Sequence, residues 1–451
     1  MQTLPQLQTQ DPFVLHPHQV EAQKWMQQHE LESDIPGGIL ADEMGMGKTY
    51  SLISTLLVNP LPKTLIVVPH ALLSQWTQIL HKFFTPSTVS LYHGSKRNSI
   101  SLSQSSIVIS TYSTVANDID SQTFLSTVSW DRLVCDEAHH LRNQKTKNYN
   151  SFRSINSRIK WLLTGTPIQN SLRDIQSLFR IIGFDKKYIR DNLSAIISTH
   201  LLRRKLTSTG IEMPNLNINN IECYVSDPQE QSLSSFIHTN LQQGNPIIYE
   251  HILPLYVKAK QTCVIPKMIQ SFYHDIQSSV NDDLVDVDLP EAEDIFQYSF
   301  VNSKVSRLIQ IIEEQPKSSK KLIFCNFLEE IDDIKHHLER YDYNVQSIDG
   351  RVPPNERPAI ISNPDIDILV LQITTGSEGL NLQRYNQVYF PSPMWNPTLQ
   401  SQAIARSFRY GQLKDVDVFN FISTLPQQNT LDQVIVHKQV KKIETAEIIE
   451  T

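Results

Sequence analysis

At 451 residues the chain is long enough for two large domains or three smaller ones, each able to bury a core without disulfides. Its 40% hydrophobic, 19% charged and 8% aromatic residues exclude collagen-like and disordered classes, and no apolar run approaches the roughly eighteen residues of a spanning helix. The formal net charge of −7 is uneven: residues 271–300 hold eight acids and no Lys or Arg, which leaves the rest at +1, so charge neither supports nor excludes a nucleic-acid partner.

The first twelve residues, MQTLPQLQTQDP, lack the basic start and apolar stretch of a signal peptide. Cys135, Cys223, Cys263 and Cys325 form no C-x-x-C pair, so they read as buried thiols in a reducing compartment and not as a zinc module or disulfide framework. Ten of the 13 glycines fall in a few short segments, where positive φ or close backbone approach is expected.

In chain order, a helical pattern containing LHPHQVEAQKWM precedes the short apolar strand GGIL at 37–40. Strands follow at Thr64–Pro69, Ser106–Thr111, Leu133–Asp136 and Trp161–Thr164. A second series comprises Lys321–Phe327, Ile366–Gln372 and Gln387–Phe390. Short buried strands alternating with helical stretches predict an α/β fold with mostly parallel sheets flanked by helices. Residues 171–300 show helical patterning and no comparable strand, so a helical insertion is expected there. The acidic stretch at its end reads as a solvated connector.

GGILADEMGMGKT, at 37–49, runs a strand into a glycine loop with SLISTLLV behind it. Backbone N–H groups of Gly45, Met46 and Gly47 and a helix N-terminus would face phosphates. Lys48 would reach the β/γ-phosphates and the Thr49 hydroxyl would bind Mg²⁺. Asp42 stands at the first glycine of the usual pattern. DEAH follows a strand end: Asp136 would order Mg²⁺, and Glu137 would orient and deprotonate the attacking water. His139 and His140 lack further ligands nearby in sequence, which argues against a metal site of their own. TGTP at 164–167 opens a helix after a strand, where hydroxyls can sense the nucleotide. Gln19, upstream, carries an amide suited to the adenine edge. In the second series, Arg406 and Arg409 are three apart, hence on one face if helical, and two guanidiniums could stabilise transition-state charge.

The ordered set resembles the Swi/Snf-type (chromatin-remodeller-like) ATPases of helicase superfamily two. The matching segments are HPHQ around Gln19, ILADEMGMGKT at 39–49, LIVVPHALLSQW at 65–76, VISTY at 108–112 and WDRLVCDEAHHLRN at 130–143. LLTGTPIQN at 162–170, LLRRK at 201–205, LIFCNF at 322–327, EGLNL at 378–382, WNP at 395–397 and QAIARSFRYGQ at 402–412 continue the order. The resemblance implies two RecA-like lobes, residues 1–215 and 301–451, around a helical insertion and acidic connector at 216–300. It also implies a DNA-dependent ATPase that translocates on double-stranded DNA and displaces or remodels DNA-bound protein such as nucleosomes or transcription factors. By resemblance, Gln19 recognises adenine, Gly45, Met46, Gly47, Lys48 and Thr49 hold phosphate and Mg²⁺, and Asp136 and Glu137 are catalytic. Arg406 and Arg409 become arginine fingers with Gln402 beside them, and DNA contacts fall at Pro69, His70, Ser110, Thr111, Thr374, Thr375 and Trp395.

The sequence departs from the family pattern at His16-Pro17-His18 before Gln19, at Thr375-Gly376-Ser377, at Ser392 and at KAKQTCVIP, 258–266. None of these removes a catalytic position. Little chain lies outside the motifs, so no bromodomain, chromodomain or RING finger is expected, as in the short virus-encoded relatives such as the baculoviral global transactivators. A strand-separating helicase, a nucleotide-gated DNA scaffold and an RNA-directed motor stand as alternatives. A nucleus, a viral factory or a bacterial cytoplasm would each suit a DNA motor.

Overall fold

The computed structural model describes residues 14–94, 104–168, 171–210, 213–243, 252–281, 289–297, 300–353, 355–376, 380 and 382–447. Contacts divide the chain into one unit of Met1–Met213 with Thr445–Thr451 and another of Pro214–Glu444.

Among the described residues the first unit has seven strands: β1 (Gly37–Leu40), β2 (Thr64–Val68), β3 (Val89–Leu91), β4 (Ile107–Thr111), β5 (Trp130–Asp136), β6 (Ser157–Leu163) and β7 (Leu201–Leu202). They lie in the order β3-β4-β2-β5-β6-β1-β7, every pair parallel. A parallel sheet must be covered on both faces, and the residues alternate accordingly. Leu65, Val67, Leu133 and Cys135 join the apolar cluster on one face, while Ile66, Val68 and Val134 join that on the other.

The helix Pro17–Glu32 starts at His16, whose N–H is accepted by the Gln19 side chain at 3.0 Å, and Pro17 has no N–H to lose at the first helical position. Ala22 and Met26, one turn apart, enter the core beside the sheet. Further along, Glu30 is buried and accepts from Arg132 Nε (2.6 Å) and NH2 (2.5 Å), from Trp161 Nε1 (2.8 Å) and from Asn59 Nδ2 (2.6 Å). Every lone pair of that carboxylate is thus engaged, the condition for burying a charge. The helix is thereby bolted to β5 and β6.

The second unit has, among the described residues, six strands: β8 (Leu216–Tyr224), β9 (Lys321–Cys325), β10 (Val345–Ile348), β11 (Ile368–Gln372), β12 (Gln387–Phe390) and β13 (Val416–Thr424). Their order is β10-β11-β9-β12-β13-β8, again all parallel. Ile323 and Val370 face one apolar cluster, Leu322 and Leu371 the other. A further core, which includes Leu233, Ile237, Leu255, Phe272, Leu431 and Ile435, gathers the helices Pro228–Gln243, Ile252–Val264, Gln270–Asn281 and Leu431–Glu447.

The α/β fold and its mostly parallel sheets are as expected. The strandless stretch is not: β7 and β8 both fall between 171 and 300, and β8 belongs to the second sheet and not to a helical insertion. As an edge strand its residues are mostly exposed, so it carries no apolar run. Its partner β13 was also missed, because Asp417 and Asn420 interrupt the run. They are matched across the ladder by Asn217 (2.8 Å) and Asn220 (3.0 Å). Four of the eight acids of the 271–300 stretch fall at 282–288, outside the described residues.

Candidate active site

β1 delivers the chain to the loop Ala41–Gly47, and the helix Lys48–Val58 follows. Gly45 (φ +86°) and Gly47 (φ +77°) turn the backbone in the left-handed region. A side chain at Gly47 would also strike the Gln19 amide, since a Cβ there would lie 2.4 Å from Gln19 Nε2. Lys48 curls back along the loop, its Nζ donating to the Asp42 carbonyl at 2.7 Å. His18 Nε2 (2.9 Å) and Gln19 Nε2 (3.1 Å) converge on the Met46 carbonyl, which as an acceptor fixes His18 as the Nε2–H tautomer. His18 Nδ1 is then a buried acceptor with no hydrogen-bond partner among the described residues. The loop glycines, the open helix N-terminus and this acceptor fit a nucleotide with phosphates at one end and hydrogen-bond donors at the other.

β5 ends at Asp136. Glu137 (φ +49°) turns the chain sharply into the short helix Ala138–Leu141, a left-handed conformation rare outside glycine and common where chemistry needs a side chain aimed. Asp136 Oδ2 accepts from Trp76 Nε1 at 2.8 Å and Oδ1 from the Glu137 N–H at 2.9 Å, while the Tyr112 hydroxyl donates to the Asp136 carbonyl at 2.6 Å. Burial, then the neighbouring Glu137 carboxylate, pushes the Asp136 carboxyl up to about 6, against the Trp76 hydrogen bond and Lys48, which pull it down. Glu137 Oε2 lies 3.3 Å from His139 Nδ1. Burial and then His139 push His140 down to about 4, so it is neutral near neutrality. Among the described residues no cluster of three His, Cys, Asp or Glu could cage a metal. The hard oxygens of Thr49 and Asp136 suit Mg²⁺, which keeps water and phosphate as its remaining ligands.

Thr164, at the end of β6, donates its N–H to Leu40 at 3.1 Å. The next residue, Gly165, lets Met44 of the loop pack against it, since a Cβ would come within 2.6 Å of Met44 Cγ. The TGTP turn is therefore in contact with the phosphate loop. Gln19, the loop residues 45–49, Asp136 and Glu137 all belong to this one unit. Sequence reasoning gave no role to Trp76 or Tyr112; the LLSQW segment was the available signal.

Pro69 and His70 follow β2, and His70 is exposed with its ring 5.0 Å from that of His93. At Ser110 and Thr111 the hydroxyls turn inward, which leaves the strand-end backbone for a phosphate contact there. Both side chains are buried, with Ser110 Oγ donating to the Tyr92 carbonyl at 2.6 Å and Thr111 Oγ1 to Thr114 Oγ1 at 3.0 Å. The exposed hydroxyl on this turn is Ser113.

In the second unit Thr374 is exposed and Thr375 half-buried, on the turn after β11. Trp395 is 50% exposed, with Lys438 Nζ 5.2 Å above its ring and Tyr256 edge-on at 6.2 Å. Gln402 is buried in the helix Pro397–Ile404. That helix stops before Arg406 and Arg409, which lie in successive turns and not on one helical face. Ser407 N–H bonds back to Ile404, and Gln412 N–H to Arg409, both at 3.0 Å. Gln169, Asn170, Ser377, Glu378, Gly379 and Asn381 lie outside the described residues.

Two parallel sheets, a glycine phosphate loop after β1 and paired carboxylates at the end of β5, one strand removed across β6, define a P-loop nucleotide hydrolase of the helicase type. The SNF2-related domain profile matches residues 18–268, and the helicase conserved C-terminal domain profile matches residues 303–411. The chain belongs to the SNF2-related family, and the two domains are those of a DNA-dependent ATPase. It is 23% identical to the "Probable global transactivator" of Orgyia pseudotsugata multicapsid polyhedrosis virus, over 94% of this chain and 89% of that one. It is 24% identical to "Transcription termination factor 2" of Drosophila melanogaster over 98% of this chain, and 25% identical to "Chromodomain-helicase-DNA-binding protein 1-like" of Mus musculus over 96%. The chain spans 58% and 50% of those two proteins. The solved "Sulfolobus solfataricus SWI2/SNF2 ATPase core in complex with dsDNA" is 24% identical, with a TM-score of 0.43, over 97% of this chain and 95% of that one. No helix among the described residues is long and apolar enough to cross a membrane.

Proposed function

We propose that the chain is an ATP-driven translocase on double-stranded DNA that displaces or remodels DNA-bound protein. The observation that carries this reading is the Asp136–Glu137 pair, held by Trp76 and Tyr112 in the unit that contains the phosphate loop. A nucleotide-gated scaffold would need Lys48 but no aimed Glu137. Lys48 and the loop N–H groups bind the phosphates, and Gln19 with His18 meets the adenine edge. Glu137 orients the attacking water and takes its proton. Thr49 and Asp136 would hold Mg²⁺, which when bound would supply positive charge against that of the phosphates. Arg406 and Arg409, with Gln402, stabilise charge that develops on the transferred phosphoryl group.

Pro69, His70, Thr374, Thr375 and Trp395 contact the phosphate backbone, joined by Ser113 in place of the buried Ser110 and Thr111 side chains. Such contacts position a motor without reading sequence. The four buried, unpaired thiols accord with a reducing, DNA-containing compartment.

The test is the steady-state ATPase rate without nucleic acid and with duplex DNA, single-stranded DNA or RNA, with Glu137→Gln as control. Stimulation by duplex alone, abolished in the control, is the expected result. A larger response to single strands or RNA would favour a helicase or an RNA motor, and no hydrolysis at all would leave a scaffold.

A further inference from the structure

Asp42, where a phosphate loop usually begins with glycine, is 1% exposed and carries a charge into the loop's interior. Its partner is Arg204, which donates from Nε to Oδ1 at 3.0 Å and from NH2 to Oδ2 at 2.5 Å. The same guanidinium donates from NH1 to the His18 carbonyl at 2.7 Å and to the exposed Glu21 carboxylate at 3.1 Å. Burial lowers the guanidinium's proton affinity, but Asp42 and then Glu21 more than offset it, so the group stays charged. One planar side chain therefore grips the start of the phosphate loop and the residue before Gln19 together.

The backbone around Arg204 is fastened to the same loop. Leu201 and Leu202 pair with Ile39 and Leu40, Ala41 N–H donates to the Leu202 carbonyl at 2.7 Å, and Glu43 N–H to the Arg204 carbonyl at 3.0 Å. Leu206 N–H returns a bond to Glu43 Oε2 at 2.7 Å. On the other side, His18 and Gln19 both hold the Met46 carbonyl. Three pieces of chain distant in sequence meet: the first turn of the helix from Pro17, the loop Ala41–Gly47, and the strand-like segment 201–206. The unit then ends at Met213, a few residues past Leu206.

We propose that Arg204 is a positioning residue for ATP, an inference that rests on the ATP reading of this loop. It sets the spacing between the base-recognising His18–Gln19 turn and the phosphate loop. By doing so it ties the grip on the nucleotide to the chain that leaves the unit. A rigid fork with several donors is required, because Asp42 must be met bidentately while His18 is met in a different direction. Lysine, a point charge on a flexible stem, cannot do both.

The experiment measures kcat and KM for ATP and for GTP on the whole chain with duplex DNA, together with thermal stability, for the wild type, Arg204→Lys, Asp42→Asn and Glu21→Gln. Arg204→Lys and Asp42→Asn are each expected to raise KM for ATP on the order of tenfold while kcat changes by less than about twofold, the pattern of lost binding and not of lost chemistry. Both should also narrow the preference for ATP over GTP. Glu21→Gln, which removes only the solvent-exposed arm, should leave these values unchanged. If either Arg204→Lys or Asp42→Asn folds and lowers stability alone, with KM and base preference intact, the pair is a structural clasp and the proposal is overturned. Should one of them fail to fold, the other decides. A wild type that binds no ATP would overturn the ATP reading itself, and this inference with it.

Discussion

The indole N–H of Trp76 donates to Oδ2 of Asp136 at 2.8 Å, across 60 residues of sequence. Trp76 lies on the helix Leu73–Phe83, which begins just past Pro69 and His70, so the turn proposed to face DNA continues into the helix that holds the carboxylate proposed to bind Mg²⁺.

Trp76→Phe keeps most of the buried ring and removes the donor. A hydrogen bond to a charged group contributes about 1.5–3 kcal/mol, so kcat should fall roughly tenfold or more while KM for ATP changes little. A steady-state assay across a magnesium titration checks this, and the variant should need more Mg²⁺ for half-maximal rate. Equal kcat and equal magnesium dependence would remove Trp76 from the catalytic arrangement.

Asp136 illustrates the cost of a working site. Burial and then Glu137 raise its carboxyl to about 6, so the native state binds its proton more tightly than the unfolded chain. The sign follows: this group costs nothing below the unfolded value near 4, and its penalty grows as pH rises and is complete above about 6. Asp136→Asn should therefore abolish ATPase activity yet stabilise the first unit at pH 7 by on the order of 2 kcal/mol. Urea unfolding without magnesium at pH 7 and pH 4 measures it, and the two proteins should differ at the higher pH only.

Wild-type hydrolysis should show the same group in its acid limb. At limiting Mg²⁺ the rate falls as pH drops through about 6, where Asp136 takes up its proton. Raising Mg²⁺ should move the limb to lower pH, because the cation favours the charged carboxylate. A limb that ignores magnesium would assign it to another group.

Arg132→Met should destabilise the first unit by about 3–5 kcal/mol, because it leaves the Glu30 carboxylate buried with its strongest partner gone. Replacing both, as Glu30→Leu with Arg132→Met, should recover most of that loss. Denaturant unfolding of the single and double variants tests it. A single variant with near wild-type stability would mean that Trp161 and Asn59 suffice for the carboxylate.

Arg406→Ala and Arg409→Ala should each lower kcat by roughly 10³-fold with little change in KM for ATP, the signature of a contact made only in the transition state. Single-turnover phosphate release with saturating duplex DNA reads it directly. If KM rises and kcat holds, these arginines bind ground-state nucleotide or DNA.

Much of this was legible in the residues because phosphate chemistry demands fixed types at fixed spacing. GMGKT, DEAH and TGTP lie at strand ends, as expected. Strands with an unbroken apolar run, such as TLIVV, were equally plain, since both faces of a parallel sheet are buried. The contacts that aim the site were not legible. Trp76 to Asp136 and Arg204 to Asp42 span 60 and 162 residues and leave no local pattern. The side-chain directions of Ser110 and Thr111 were equally hidden: a hydroxyl near a strand end suits phosphate, but sequence does not reveal that these turn inward to Tyr92 and Thr114.

Among the described residues the strand β8 has one neighbour, β13, and each pair in that ladder joins residues 200 positions apart. Loop closure grows only slowly with length, by about 0.6 kcal/mol per doubling, so the native sheet tolerates this separation. Synthesis does not share that tolerance. The described strands of the first unit are all made once Leu202 has emerged, whereas β8, with Leu216, Ile218 and Tyr224 exposed even in the finished fold, must wait for Val416–Thr424. For the time needed to translate some two hundred residues, on the order of 10–40 s at bacterial to eukaryotic rates, a nine-residue strand stands unpaired beside the ribosome. Slow elongation or a chaperone that holds extended strands would thus bear on the yield of this protein far more than on its stability once made.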